Sequence, residues 1–125
     1  MSPVSVRYIV DDVGQAIVFY CDQLGFELDF HPAPGFARLT RGDLSLLLNA
    51  PGAGGAGTAG DEVPRPGGWN RFQIEVDDVQ TFADQLRAAG ARLRGEITQG
   101  QGGRQVLVAD PSGNVIELFE PVRSV

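Results

Sequence analysis

The sequence predicts an α+β fold of two tandem βαβββ modules, and three observations predict it. Val76-Asp-Asp-Val79 repeats Val10-Asp-Asp-Val13 more than half a chain length further on. Each copy closes an alternating apolar run and opens a helical pattern that stops at a glycine, Gly25 or Gly90. Three short strand-like stretches follow each glycine, the last two joined by a turn signal. At 125 residues the chain is read as a single domain spanning 1–125. Module one covers 1–50, a Gly/Ala/Pro loop covers 51–68, and module two covers 69–125.

Val4 to Val10 alternates as a strand, with Val6, Tyr8 and Val10 on one face and Ser5, Arg7 and Ile9 on the other. Asp12 then stands as an N-cap, with Gln15 at the capping-box position. Val13, Ala16, Ile17, Tyr20 and Leu24 recur at helical spacing, and Gly25 can take the left-handed conformation that ends the helix. Phe26 to Phe30 is a short strand stopped by His31-Pro-Ala-Pro34. Phe36 to Thr40 and Leu44 to Asn49 form a hairpin around Arg41-Gly-Asp43. In its second arm Leu44, Leu46 and Leu48 share one face, and Ser45, Leu47 and Asn49 the other.

Pro51 to Gly68 has no periodicity and is longer than most loops in compact domains. It is either a linker between repeats or a flap over a site. Module two repeats the plan. Phe72, Ile74 and Val76 alternate with Arg71, Gln73 and Glu75. Asp78 opens a helix with Val79, Phe82, Ala83, Leu86 and Ala89 inward. Ala91 to Ile97 is a strand, Thr98 to Gly103 a flexible connection. Arg104 to Ala109 and Val115 to Glu120 form a hairpin around Asp110-Pro-Ser-Gly-Asn114.

The net charge of −6 argues against nucleic acid, whose phosphates would be repelled, and fits a cationic or neutral small ligand. No apolar run reaches the ~18 residues of a membrane span, so no membrane partner is expected. Met1-Ser-Pro-Val-Ser lacks the features of a signal peptide, which points to the cytoplasm. Cys21, the only cysteine, lies inside a helical pattern and reads as a small buried filler.

Val10-Asp-Asp12 with Phe19-Tyr20 and Leu24-Gly25-Phe26, Arg41-Gly-Asp-Leu44, Val76-Asp-Asp-Val79, Ala89-Gly90 and Asp110-Pro-Ser-Gly-Asn-Val-Ile-Glu-Leu118 span nearly the whole chain. Together they resemble the vicinal oxygen chelate superfamily of glyoxalase I, bleomycin-resistance proteins and extradiol dioxygenases. The resemblance implies curled mixed sheets forming a U-shaped ligand groove, helices packed outside, and a homodimer. The alternation agrees with such a division of faces. Val6, Tyr8, Val10, Leu44, Leu46, Leu48, Phe72, Ile74, Val76, Ile116 and Leu118 make an apolar face for the helices. Ser5, Arg7, Ile9, Ser45, Leu47, Arg71, Gln73, Glu75, Val115, Glu117 and Phe119 make a mixed face for a ligand.

Metalloenzymes of that superfamily hold a divalent metal at four groove positions, which the resemblance places on Ser5, Ser45, Arg71 and Glu117. Only Glu117 is a ligand type, and a guanidinium has no lone pair to give. No metal or other cofactor is therefore expected. His31, the one histidine, is expected on a surface loop away from these positions. Arg71 and Glu117 are expected to face each other, either as a structural ion pair or as an anchor for a polar ligand group, with Glu75 and Arg7 adding charge nearby. Ser5, Arg7, Ser45, Leu47, Trp69, Gln73 and Phe119 are candidate ligand contacts. Trp69 either stacks on a flat ligand or packs the loop onto the body. Arg38, Arg104 and Gln105 stay second-tier, because alternation does not fix their face.

The resulting expectation is a bleomycin-resistance-like protein that sequesters a drug or metabolite without a metal. The alternative is a metal-independent isomerase or lyase, with Glu117 or Glu75 as base and Arg71 stabilising an oxyanion. A metal-dependent lyase or dioxygenase with a different ligand set ranks third.

Overall fold

Each module begins with a strand whose end hands over to a helix through an aspartate cap. In the computed structural model, which describes residues 4–57 and 60–123, these elements are β1 (Ser5–Ile9), α1 (Val13–Val18), β2 (Glu27–Ala33), β3 (Phe36–Arg41) and β4 (Leu44–Asn49), then β5 (Phe72–Glu75), α2 (Val79–Ala88), β6 (Arg92–Gln99), β7 (Gly103–Ala109) and β8 (Val115–Pro121). They form two mixed four-stranded sheets, ordered β1-β4-β3-β2 and β5-β8-β7-β6. In each, the first strand pairs parallel with the last and the others pair antiparallel. The two βαβββ modules are therefore present. The chain divides into two compact units at Gly68–Trp69, with the Pro111–Asn114 turn grouped with the first. Among the described residues no helix is long and apolar enough to cross a membrane.

In the first unit the Asp12 carboxylate accepts from the Gln15 amide at 3.0 Å, satisfying a donor that the helix itself leaves open. α1 is short because residues Phe19–Gln23 continue it as a wider π-helical turn. The wider turn shifts the helical phase, so that Phe19 is buried together with Tyr20. Spacing at 3.6 residues per turn does not bring Phe19 inward. The rings of Phe19, Tyr20 and Phe26 meet edge to face at centroid distances of 5.1 and 5.4 Å. Gly25 then turns the chain with φ of +77°, and Arg41 Nε donates to the Leu24 carbonyl at 2.8 Å. Val10, Leu39, Leu46 and Leu48 complete the core from the sheet side.

The strand expected to stop at Phe30 runs on to Ala33, so His31 lies on a strand and not on a loop. β2 is the outer strand of its sheet, and Pro32, which has no N–H to donate, is tolerated there as it would not be in the interior. The run after β4 carries local order: Gly54–Ala56 forms a 3₁₀ turn, Ala56 is buried, and Ala50 donates to the Gly35 carbonyl. Within the Pro111–Asn114 turn, Asn114 Nδ2 donates to the Ile9 carbonyl and its Oδ1 accepts from the Gly67 amide, both at 2.8 Å.

In the second unit Asp78 accepts from the Thr81 amide at 3.1 Å and from its hydroxyl at 3.0 Å. Val79, Ala83 and Leu86 of α2 are buried with Ile74, Val76, Val106, Val108, Ile116 and Leu118 of the sheet. Ala89 was expected inward but is exposed, because the helix ends there and the chain turns at Gly90. Val115, expected on the mixed face, is buried. β6 extends to Gln99, past the expected end at Ile97, and β7 begins at Gly103. Only glycine fits at 103: a Cβ there would overlap the Glu120 carbonyl and come within 2.9 Å of Pro121 Cα.

Glu120 closes the N-terminus of α2 from across the unit. Its Oε1 accepts from the Val79 amide at 2.9 Å and from Arg104 Nη2 at 2.8 Å. The Val79 amide first, and Arg104 second, hold the Glu120 carboxyl below its ordinary value. The Thr81 amide and hydroxyl do the same for Asp78. A carboxylate lowered by folding adds stability above the ordinary carboxylate range, and that stability is lost as the pH falls through the lowered value. The urea midpoint should therefore drop on acidification from about pH 5 to about pH 3. Glu120→Gln should show a smaller drop than the unmutated chain. An identical pH profile for the variant would remove Glu120 from this role.

Candidate functional site

The register of the second sheet decides which side chains share its helix-free face. Gln73 pairs with Glu117, Glu117 with Leu107, and Leu107 with Arg94, so these four form one row across β5, β8, β7 and β6. Glu75, Phe119, Gln105 and Thr98 form the next row. Gln105, which alternation alone left open, thus lies on the same face as Glu117. Arg104 lies on the other side, where it holds Glu120 against α2.

Arg71 and Glu117 meet, as expected, with Nε donating to Oε1 at 3.0 Å. The carboxylate is not taken by the guanidinium fork alone. Gln73 Nε2 donates to the other oxygen, Oε2, at 2.7 Å, so both oxygens of Glu117 are engaged by different side chains. Arg71 also donates from Nη1 to the Trp69 carbonyl at 3.3 Å. The side chains of Arg71 and Glu117 are 30% and 13% exposed, intermediate between a surface pair and a buried one. Trp69 itself is 62% exposed, and the Arg94 guanidinium carbon lies 4.6 Å from its ring centroid. The sequence reading missed Arg94. The alternation of Arg92-Leu-Arg94 on β6 carried that signal, but Gly95 breaks the pattern just beyond it.

The first sheet brings its candidates together differently. Ser5 pairs with Ser45 and Arg7 with Leu47, and Leu47 pairs with Arg38, which settles Arg38 on the same face. Arg7 does not point its charge at a carboxylate. Its Nε donates to Asn49 Oδ1 at 2.9 Å, and the wholly buried Asn49 passes Nδ2 to the Ala53 carbonyl at 3.1 Å. Asn49, at the end of a leucine-rich strand, gave no functional signal in the sequence beyond being polar there. Arg38 pairs with Asp29 at 2.8 Å and lies 5.7 Å from the Phe30 ring centroid.

The register also corrects the alignment of the two modules. Arg7 and Gln73 occupy matching places in the repeat, and their strand partners are Leu47 and Glu117. The module-one counterpart of Glu117 is therefore Leu47, whereas Ser45 is the partner of Ser5. The four positions at which the resemblance implies metal ligands then carry Ser5, Leu47, Arg71 and Glu117. Of these residue types only the Glu117 carboxylate is a ligand for a divalent ion, and a guanidinium is bonded to it. Among the described residues, no three His, Cys, Asp or Glu side chains gather as a metal site elsewhere. Burial, with Asp22 beside it, pushes the Cys21 thiol above its ordinary value, which disfavours the nucleophilic thiolate.

A model of the Glyoxalase/Bleomycin resistance protein/Dioxygenase superfamily matches residues 3–118. Over 124 residues the chain is 27% identical to bleomycin resistance proteins of Geobacillus stearothermophilus and Staphylococcus aureus, covering 92% of this chain and 93% of theirs. The crystal structure of TnmS3, an antibiotic binding protein from Streptomyces sp. CB03234, superposes with a TM-score of 0.74 at 27% identity over 98% of both chains. Lactoylglutathione lyase from Agrobacterium tumefaciens shares the fold, with a TM-score of 0.74 at 24% identity over 95% of this chain and 92% of its own.

The partial burial and charge-assisted contacts of the Arg71–Glu117 pair imply a measurable coupling. A double-mutant cycle of Arg71→Ala and Glu117→Gln, read by urea denaturation, should give about 1 kcal/mol. A coupling near zero would mean that solvent screens the pair completely.

Proposed function

The chain belongs to the glyoxalase/bleomycin resistance protein/dioxygenase superfamily, and from that premise we propose that it binds a small organic drug or metabolite on the helix-free faces of its sheets and sequesters it without a metal. The observation that carries this reading is the environment of Glu117. It is the one carboxylate at the four positions, and its oxygens are engaged by Arg71 and Gln73. A cation already stands beside it where a metal-binding relative has a ligand. Both oxygens accepting hydrogen bonds also leaves Glu117 poorly placed to take a proton from a substrate. The bleomycin resistance proteins and TnmS3 give the reading its direction toward antibiotic-sized ligands.

In this reading Gln73, Gln105 and Phe119 supply polar and apolar contacts on the second sheet, and Ser5, Ser45 and Leu47 on the first. Arg7 acts through Asn49 as a fixed positive group. Isomerase or lyase chemistry would rest on Glu75, which is exposed on β5 in the row beside Gln73 and Glu117.

Metal analysis of the purified protein should find no stoichiometric divalent ion, and a chelator should leave the Tm unchanged. In a thermal-shift panel of bleomycin, polycyclic antibiotics, aromatic metabolites and 2-oxo acids, at least one compound should raise the Tm by about 5 °C or more at saturation. It should be recovered chemically unchanged. A stoichiometric metal ion would overturn the metal-free reading, and conversion of the compound would move the assignment to Glu75 chemistry.

The working unit in this reading is a homodimer. Leu28 and Phe30, half-exposed on β2, are apolar surface of the kind that a second copy covers. Light scattering at micromolar concentration should return twice the chain mass; a monomer mass would reject the dimer.

A further inference from the structure

One corner of the second sheet carries charge of the opposite sign from the chain as a whole. The net charge is −6, yet β6 brings Arg92 and Arg94 to the face on which Arg71 and Trp69 are linked. Arg94 lies over the indole, Arg71 Nη1 holds the Trp69 carbonyl, and Glu117 is the one carboxylate bonded within this set. All of these residues belong to the second compact unit. Glu75 stands in the neighbouring row of the same face, and charges beyond about 8 Å are screened at physiological ionic strength.

We propose that Trp69, Arg71 and Arg94 form a subsite for a planar aromatic anion, a ring bearing a carboxylate, sulfonate or phosphate. This rests on the ligand-binding reading above and names the chemical class that the reading leaves open. Trp69 is 62% exposed although indole is among the most favourable side chains to bury, so it presents an open stacking surface. The Arg94 guanidinium holds the ring by a cation–π contact and adds a positive charge beside it. Arg71 spends Nε on Glu117 and Nη1 on the Trp69 carbonyl, while its Nη2 donates no hydrogen bond among the described residues. That end of the fork is available to an oxyanion. An aromatic cation meets two guanidiniums at the same place and is repelled, and a neutral ring gains the stacking alone.

Trp69 is the only tryptophan in the chain, so its intrinsic fluorescence reports this corner and nothing else. Three contact quenchers with the same ring and different charge test the proposal: 4-nitrobenzoate, 4-nitrobenzyl alcohol and 4-nitrobenzylamine. Quenching by 4-nitrobenzoate should saturate, with half-saturation about tenfold or more below that of the other two. Arg94→Gln and Arg71→Ala should each erase that preference. Arg87→Ala, on the exposed side of α2 and paired with Asp84, should keep it and controls for a general loss of positive charge. The Tm of each variant separates loss of the subsite from loss of the fold. Equal or stronger quenching by the amine, or quenching by all three without saturation, overturns the subsite. If a cationic or neutral drug stabilises the protein while 4-nitrobenzoate shows no preference, the subsite falls and the ligand-binding reading stands. If nothing in either panel binds, both fall.

Discussion

A four-stranded sheet has two faces, and each module of this chain supplies a single helix to cover one of them. Burying that face under α1 or α2 removes most of the apolar side chains of the strands from water, and every other arrangement in the module follows from it. Because neighbouring residues on a strand point to opposite sides, committing Ile74, Val76, Ile116 and Leu118 to the helix also commits Gln73, Glu75, Glu117 and Phe119 to the opposite side. The polar face is therefore the necessary complement of the core.

Here the complement is dominated by guanidinium groups satisfied locally. Arg7 is tied to Asn49, Arg38 to Asp29 and Phe30, Arg71 to Glu117 and the Trp69 carbonyl, and Arg94 to the Trp69 ring. Each holds its charge in a fixed geometry, and fixing a long side chain before a ligand arrives lowers the entropy that binding must overcome. On each sheet the polar face consequently presents its charge preset.

Much of the fold was legible in the sequence because it rests on local or periodic signals. Asp12 and Asp78 cap as their positions require, Gly25 and Gly90 turn the chain after the helices, and the leucines of β4 alternate as expected. The Arg71–Glu117 contact was legible for a different reason: the repeat aligned both residues with known places on paired strands. The failures share a cause, which is that contacts distant in sequence decided them. The π-helical turn that buries Phe19 answers to packing against Tyr20 and Phe26, and no periodicity announces it. The register that matches Leu47, and not Ser45, to Glu117 is set by strand pairing. The Glu120 cap on α2 comes from a strand at the other end of the module.

The extension of β2 to Ala33 has a bearing on self-association that the core does not reveal. An outer strand with exposed Leu28 and Phe30 is a template on which another chain can lay down a strand of its own. Pro32 withholds a donor from that ladder, and the irregular register between Phe30 and Ala33 puts the remaining donors out of step. An incoming strand would find the hydrogen-bond spacing broken within a few residues. The same proline that looks like the end of a strand in the sequence thus leaves this outer strand one backbone donor short.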